Sequence, residues 1–421
     1  SLLGRGVPFT SLKTIPQTAF LWQSDAALPK NKHWEDLELP SYETCREDKR
    51  AFAQASRIIE VQSNRLHAAR LAQRTGEQTV VVNPPYPPMS TAELDAVYEL
   101  PFTRLPHPRY AGKGEIPAYR MIRHSITIHR GCFGGCAFCT ISAHQGKFVT
   151  PRSEASVLRE VERVAAMPDF RGTITDLGGP SANMYGMAGK DRSLCEKCTR
   201  PSCISPAVCA NLDTSHARLR ELYRRAREVK GVKHIFIGSG IRYDLLVKEF
   251  NTRGDARDME EYLDQVVRYH VSGRLKVAPE HVSDRVLEVM RKPSFRYFHL
   301  FKQLFDRLNA RAGKRQQIVP YFISSHPGSS VEDMAALAVE TQAMDFRLEQ
   351  VQDFTPTPMT ISTDIYYSGY HPYTLRPVFT AKKPEEKKDQ NIFFFWYRPE
   401  NRARIARLLA RFPALRKKLL G

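Results

Sequence analysis

The chain lacks any long apolar run. Its longest uninterrupted ones, such as Ile392 to Tyr397, hold six residues, against the roughly 18–20 that a membrane-spanning helix requires. Cysteine is scarce and unevenly spread: seven of the 8 fall into two tight groups, Cys132/Cys136/Cys139 and Cys195/Cys198/Cys203/Cys209, and Cys45 stands alone. A secreted disulfide scaffold is small and distributes its cysteines, and thiols this close in sequence bridge poorly to each other. The pattern argues instead for metal ligation in a reducing cytoplasm. Acidic residues are in deficit, 45 Asp and Glu against 63 Lys and Arg, which leaves +18. Repeats and low-complexity tracts are absent. With 42% hydrophobic and 26% charged residues the chain does not have the composition of a disordered one. It opens at Ser1 rather than Met, with no signal-peptide pattern, which reads as the inside of a longer product.

At 421 residues the length prior is two or three domains. Residues 1–120 read as the tail of an N-terminal domain plus a linker. A helix is expected near Ala51 to Thr75 and a short strand at Thr79 to Val82. A second helix is expected near Thr91 to Leu100, with Thr91 and Glu93 as start signals. The proline-dense stretch to Pro117 reads as a packed crossover. From about residue 121 strands alternate with helices. Strands are expected at Ser125–His129, Thr173–Leu177, His234–Ile237, Leu275–Val277, Gln317–Ile323 and Leu348–Phe354. Apolar positions at helical spacing fill the gaps, such as Val157, Val161 and Val164 behind a Ser153 cap, or the helix from Ser330 with Asp333 as capping partner. Six such alternations predict a parallel sheet, with the ligand site beyond the C-terminal strand ends. Residues 366–421 form a basic extension that ends in a helix over Asn401–Phe412, with Arg402, Arg404, Arg407 and Arg411 on its exposed face.

The first cysteine group follows the first strand as Arg130-Gly131-Cys132-Phe133-Gly134-Gly135-Cys136-Ala137-Phe138-Cys139. A [4Fe–4S] cube normally takes four thiolates, so three from one loop leave one iron open to a small molecule. The alternative is a structural zinc loop completed by a residue such as His129 or His144. Zinc loops favour C-x2-C pairs, and the wider first gap counts against that.

This CxxxCxxC, with an aromatic residue before its last cysteine, resembles the radical S-adenosylmethionine (SAM) superfamily. The wider wording, RGCFGGCAFC, DLGGPSANMYG, LKVAPEH and PYFISSHPG, resembles its YgiQ-type branch over nearly the whole chain, a branch with a longer N-terminal domain. The resemblance implies an α/β fold, a partial (β/α)6 TIM-like barrel over residues 121–365 with N-terminal and C-terminal extensions. It implies that Cys132, Cys136 and Cys139 hold the cluster, whose open iron chelates SAM. One electron, from a flavodoxin- or ferredoxin-type reductant, would then cleave SAM to methionine and a 5′-deoxyadenosyl radical that abstracts hydrogen from a substrate. The superfamily binds the SAM amino group with a Gly-Gly-Glu segment after the second strand. Gly178 and Gly179 match it, but Pro180 stands where the Glu would be, which leaves Asp176 or Ser181 to substitute. Other strand ends offer Ser239, Arg242 and Asp244, and then Lys276 and Glu280. Of these, Ser239, Lys276 and Glu280 join Asp176, Gly178 and Gly179 as cofactor-binding candidates.

Cys195, Cys198, Cys203 and Cys209, inside an insertion near residues 190–212, make a complete four-thiolate set. It suits structural zinc or an auxiliary iron–sulfur cluster equally well. The substrate is unnamed by the sequence. The basic surplus, above all Arg402 to Lys418, keeps RNA open beside protein. A non-catalytic, metal-stapled module that binds nucleic acid or protein is the alternative from another class.

Overall fold

Side-chain caps divide the N-terminal region. Ser41 accepts from Thr44 N to start helix α1 (Tyr42–Glu47), and Asp48 accepts from Arg50 N to start α2 (Lys49–Ser63). These helices lie among strands β1 (Ala19–Gln23), β2 (Asp36–Leu39), β3 (Arg70–Thr75) and β4 (Gln78–Val82), a sheet of order β1-β4-β3-β2. The chain is described by a computed structural model over residues 3–23, 27–348 and 350–421.

The single helix expected from Ala51 to Thr75 is therefore two elements. It ends at Asn64, and residues 70–75 turn back at Gly76 to pair antiparallel with β4 (Ala72↔Val81, Gln73↔Val80). The run Arg70–Thr75 has helical propensity, but its alternate residues Arg70 and Ala72 are buried, and that tertiary burial decides the outcome. Helix α3 (Thr91–Tyr98) is capped one residue earlier than expected: Ser90 and Glu93 form a reciprocal capping box. After the proline-rich segment and α4 (Pro117–Ile122), alternation begins.

Strand β5 (Ser125–Thr127) leads to β6 (His129–Arg130), and α5 (Ile141–Gln145) follows the first cysteine loop. Strand β7 (Thr150–Pro151) then pairs back onto β6. Helix α6 (Glu154–Ala165) starts at the Ser153 cap, which accepts from Ser156 N, and buries Val157, Val161 and Val164 completely. Next come β8 (Thr173–Ile174), β9 (Asp176–Gly178), α7 (Arg192–Glu196), α8 (Ala217–Arg227), β10 (His234–Ile235) and α9 (Ala256–Tyr269). They are followed by β11 (Arg274–Glu280), α10 (Asp284–Met290), α11 (Arg296–Arg311), β12 (Gln317–Ser324), α12 (Val331–Ala343) and β13 (Gln350–Asp353). All six expected strands have counterparts, though Glu349 of the last lies outside the described residues.

Pairing is parallel throughout the main series: β5 with β9, β8 with β10, β11 with β12 and β12 with β13. Bonds from Leu177 N to Phe236 O (2.9 Å) and from Phe236 N to Ile174 O (3.0 Å) knit the β8–β9 stretch to the β10 stretch. The class is α/β, but no closed barrel forms among the described residues, and the strands stand in separate ladders. The break falls after β10, where Ile237 N donates to His270 O (3.1 Å), at the end of α9, instead of to a neighbouring strand. Helices α8, α9 and α11 cover the sheet with Leu222, Tyr223, Leu263, Val266, Phe298, Phe301 and Phe305, all fully buried.

Beyond β13 lie α13 (Ile361–Ser368), α14 (Pro384–Asn391), α15 (Pro399–Leu408) and α16 (Pro413–Leu420). The helix expected over Asn401–Phe412 thus begins earlier and breaks before Pro413, whose ring suits the first turn of a new helix. Its basic face is partly neutralised: Arg404 bonds Asp389 (2.8 Å) and Glu385 (2.9 Å).

One buried charge network ties the proline-rich segment to the sheet. Glu160 of α6 accepts from both Arg104 and Arg152, and Arg152 also donates to Thr127 O (2.9 Å) and Ser156 O (2.9 Å). Removing the carboxylate strands a fully buried guanidinium. Glu160→Ala is expected to cost about 3–5 kcal/mol in chemical denaturation, against about 0.5 kcal/mol or less for the exposed Glu249→Ala.

Candidate metal centre

The loop after β6 is fixed by backbone geometry and by bonds to distant segments. Gly131 has φ +86°, and a Cβ there would sit 2.2 Å from Phe148 O, so only glycine fits. Cys132 N donates to Gly146 O (3.0 Å), Ala137 N to Met290 O (3.0 Å) and Ser362 N to Ala137 O (2.9 Å). Ser142 Oγ donates to Cys132 O (2.8 Å). Cys132, Cys136 and Cys139 are half-buried free thiols. Burial raises the Cys132 and Cys139 thiols, the latter to about 11, and neighbouring thiols push the same way. The Gly134 N–H, Arg242 and Lys292 pull Cys132 in the opposite direction.

Such thiols deprotonate readily only when a cation takes the sulfur. Cations stand ready: Arg242 Nη1 lies 3.4 Å from Cys136 Sγ, and Lys292 is buried close by. Three thiols on a glycine-loosened loop with positive charge behind them fit an iron–sulfur cluster with one iron free of protein sulfur.

The expected cofactor wall is assembled in part. Asp176 Oδ1 accepts from Gly238 N (2.8 Å), Ser239 N (3.1 Å) and Ser239 Oγ (3.1 Å). Asp176 Oδ1 and Ser239 thus bond each other, between the start of β9 and the stretch after β10. Burial raises the Asp176 carboxyl, and these bonds and Lys276 oppose the rise. A Cβ on Gly178 would meet Ser239 Oγ at 2.1 Å, and one on Gly179 would meet the His129 ring at 2.5 Å, so both glycines are required by packing. His129 is buried with both ring nitrogens unpartnered among the described residues, and burial and Arg130 lower it to about 3. A neutral imidazole with one donor and one acceptor free thus stands beside Gly179. Glu280, at φ +71°, is buried near Arg242 and Lys292, and burial raises it. Lys276 is exposed and within electrostatic reach of Asp176.

The four cysteines of the insertion come together around a second loop that is bonded to the first. Cys203 N donates to Phe133 O (3.0 Å), Ser202 Oγ to Gly134 O (2.8 Å) and Cys209 N to Cys203 O (2.7 Å). Lys147 Nζ lies 3.7 Å from Cys198 Sγ and bonds Arg200 O (2.7 Å), while Asn211 Nδ2 lies 3.4 Å from Cys195 Sγ. No group of three or more His, Cys, Asp or Glu among the described residues is already arranged as a ligand set for a metal ion.

A cavity of about 440 Å³ reaches the cysteine loop from the side of α2. It is lined by Phe52, Ser56 and Glu60 of α2, by Cys136 and Cys139, and by Asp364 of α13. Sequence reasoning did not find this cavity, nor Lys147 and Lys292, because no local pattern marks a cation that meets a loop from a distant segment.

Residues 1–125 match the family model described as Radical SAM N-terminal. Over 398 residues the chain is 57% identical to a UPF0313 protein of Bacteroides thetaiotaomicron, covering 94% of this chain and 64% of that one. To a UPF0313 protein of Porphyromonas gingivalis it is 57% identical over 410 residues, 96% of this chain and 64% of that one. To the UPF0313 protein YgiQ of Escherichia coli it is 42% identical over 381 residues, 89% and 50% of the two chains. The chain thus spans less than two thirds of these relatives. Among solved structures, the radical S-adenosylmethionine methyltransferase TsrM of Kitasatospora setae, with cobalamin and a [4Fe–4S] cluster bound, is 17% identical with a TM-score of 0.38. That match covers 59% of this chain and 40% of that one, a likeness too slight to bear on chemistry.

Asp364 provides a pH test of the cavity. Burial and the Glu60 charge push its carboxyl from 3.8 up to about 6, against a bond from Ser56. The folded state therefore holds the proton more tightly than the unfolded chain, and stability falls as pH rises through that window. Asp364→Asn, which cannot ionise, is expected to gain in denaturation midpoint relative to the parent between about pH 4 and about pH 7. A difference that stays constant over that range is the contrary result.

Proposed function

The chain belongs to the UPF0313 protein family, and from that premise and the geometry of the cysteine loop we propose that it is a radical SAM enzyme of the YgiQ type. Cys132, Cys136 and Cys139 hold a [4Fe–4S] cluster in this reading, and residues 121–365 are its partial (β/α)6 barrel core, between the N-terminal segment and the basic extension. The bound cluster and SAM supply one chemistry: an electron from a flavodoxin- or ferredoxin-type donor splits the sulfonium to methionine and a 5′-deoxyadenosyl radical that removes hydrogen from a substrate. The protein supplies placement and exclusion of water.

The observation that carries this reading is the loop itself: three thiols held by bonds to Gly146, Met290 and Ser362, with Arg242 against one sulfur. Gly178 and Gly179 keep the wall beside His129 and Ser239 free of side chains. Asp176 fixes that wall through Gly238 and Ser239. The neutral imidazole of His129 is a polar group free to meet the cofactor there. Glu280 and Lys292 enclose the other side. Cys195, Cys198, Cys203 and Cys209 hold a second metal, zinc or an auxiliary cluster, in the loop clasped to the first.

Anaerobic reconstitution tests this. The parent is expected to bind iron and sulfide, to show the electron paramagnetic resonance (EPR) signal of a reduced cluster, and to release 5′-deoxyadenosine from SAM with dithionite. Cys132→Ala, Cys136→Ala and Cys139→Ala are each expected to bring that release to background. Stoichiometric zinc with no SAM cleavage would overturn the reading and favour a metal-stapled binding module.

A further inference from the structure

We infer that Arg242 is a positioning residue whose guanidinium, donating to Cys136 Sγ, raises the reduction potential of the cluster held by the first cysteine loop. The inference rests on the reading of that loop given under Proposed function.

Arg242 is held at both ends. Its side chain forms a fork on the buried Asp244, with Nε to Oδ1 at 2.9 Å and Nη2 to Oδ2 closer still, which leaves Nη1 to reach Cys136 Sγ at 3.4 Å. Its backbone is clamped by one side chain: Arg242 N donates to Asn183 Oδ1 (2.7 Å), and Asn183 Nδ2 donates to Arg242 O (3.0 Å). Asn183 is fully buried and lies within the DLGGPSANMYG segment, whose two glycines belong to the cofactor wall. The same segment therefore sets the wall and anchors the arginine. Gly134 completes the approach: a Cβ there would stand 3.3 Å from Arg242 Nη1 and 3.3 Å from Cys132 Sγ.

A buried Arg–Asp pair is a poor way to stabilise a fold, because desolvation offsets most of the attraction. It is a good way to fix a cation. Asp244 engages two of the three guanidinium nitrogens and orients the third, a task Lys cannot perform because its ammonium has no planar fork. An N–H donor and a positive charge beside a cluster thiolate favour the reduced, more negative state and raise the potential. Lys147 stands beside Cys198 at 3.7 Å in the second set, but a backbone carbonyl holds it, and no carboxylate among the described residues does.

The test is an EPR-monitored redox titration of the reconstituted full chain. In Arg242→Gln/Asp244→Asn, which removes the charge pair together, the reduction equilibrium is expected to shift about tenfold toward the oxidised form, about 59 mV lower for one electron. Arg242→Lys, which retains a partner for Asp244, is expected to shift it in the same direction by less. A merely structural role would lower the iron content and leave the potential of the remaining clusters unmoved. That result, or an unchanged potential in both variants at full iron content, overturns the inference. If the paired variant holds no iron, Arg242→Lys alone decides. A parent that binds no iron refutes the proposed function itself, and the inference falls with it.

Discussion

The site depends on how the backbone of residues 131–139 is held. A loop that carries three thiols has no ladder or helix of its own, so its polar backbone groups need partners from elsewhere. They come from four separate stretches: Gly146 after α5, Met290 at the end of α10, Ser362 at the start of α13, and Cys203 in the second cysteine loop. Each anchor sits at the end of an element or in a loop that is itself bonded. The sulfurs thereby inherit the rigidity of the helices around them, and a glycine-rich segment becomes a defined scaffold.

The charge of the chain looks different once folded. Part of the basic charge lies on exposed helix faces such as that of α8, where Arg224 pairs with Glu221 and Glu228. Five Lys and Arg are buried among the described residues, and three of them stand at the thiols: Arg242 and Lys292 at the first set, Lys147 at the second, while Arg70 and Arg152 pair with Asp36 and Glu160. A buried cation is costly unless something accepts its protons. Asp244 does so for Arg242, and the Arg200 carbonyl for Lys147. The positive charge near the sulfurs is thus a local arrangement, separate from the solvated excess that dominates the composition.

Much of this was legible in the sequence, for reasons that differ by element. The cysteine groups stand out because their spacing is local. The Ser153 and Ser330 caps and the burial of Val157, Val161 and Val164 follow from contacts within one helix. The strand Arg70–Thr75 was not legible, because its partner β4 and the helices that bury it decide its state and its own residues do not. The partners of Asp176 are hidden for a related reason: only the folded chain shows Gly238 and Ser239 donating to its Oδ1. Asn183 was visible within its motif, yet nothing in the order of residues relates it to the backbone of Arg242, 59 positions away.

One contact between the two cysteine loops bears on any effort to transplant them. Gly135 adopts φ +58°, and a Cβ at that position would lie 2.4 Å from the Pro201 carbonyl, so the loops touch backbone to backbone with no side chain between them. A designer who grafts the three-cysteine turn onto a foreign scaffold would leave Phe133 and Gly134 with dangling carbonyls unless residues 201–203 travelled too. Any portable unit therefore includes at least this pair of loops from separate parts of the chain.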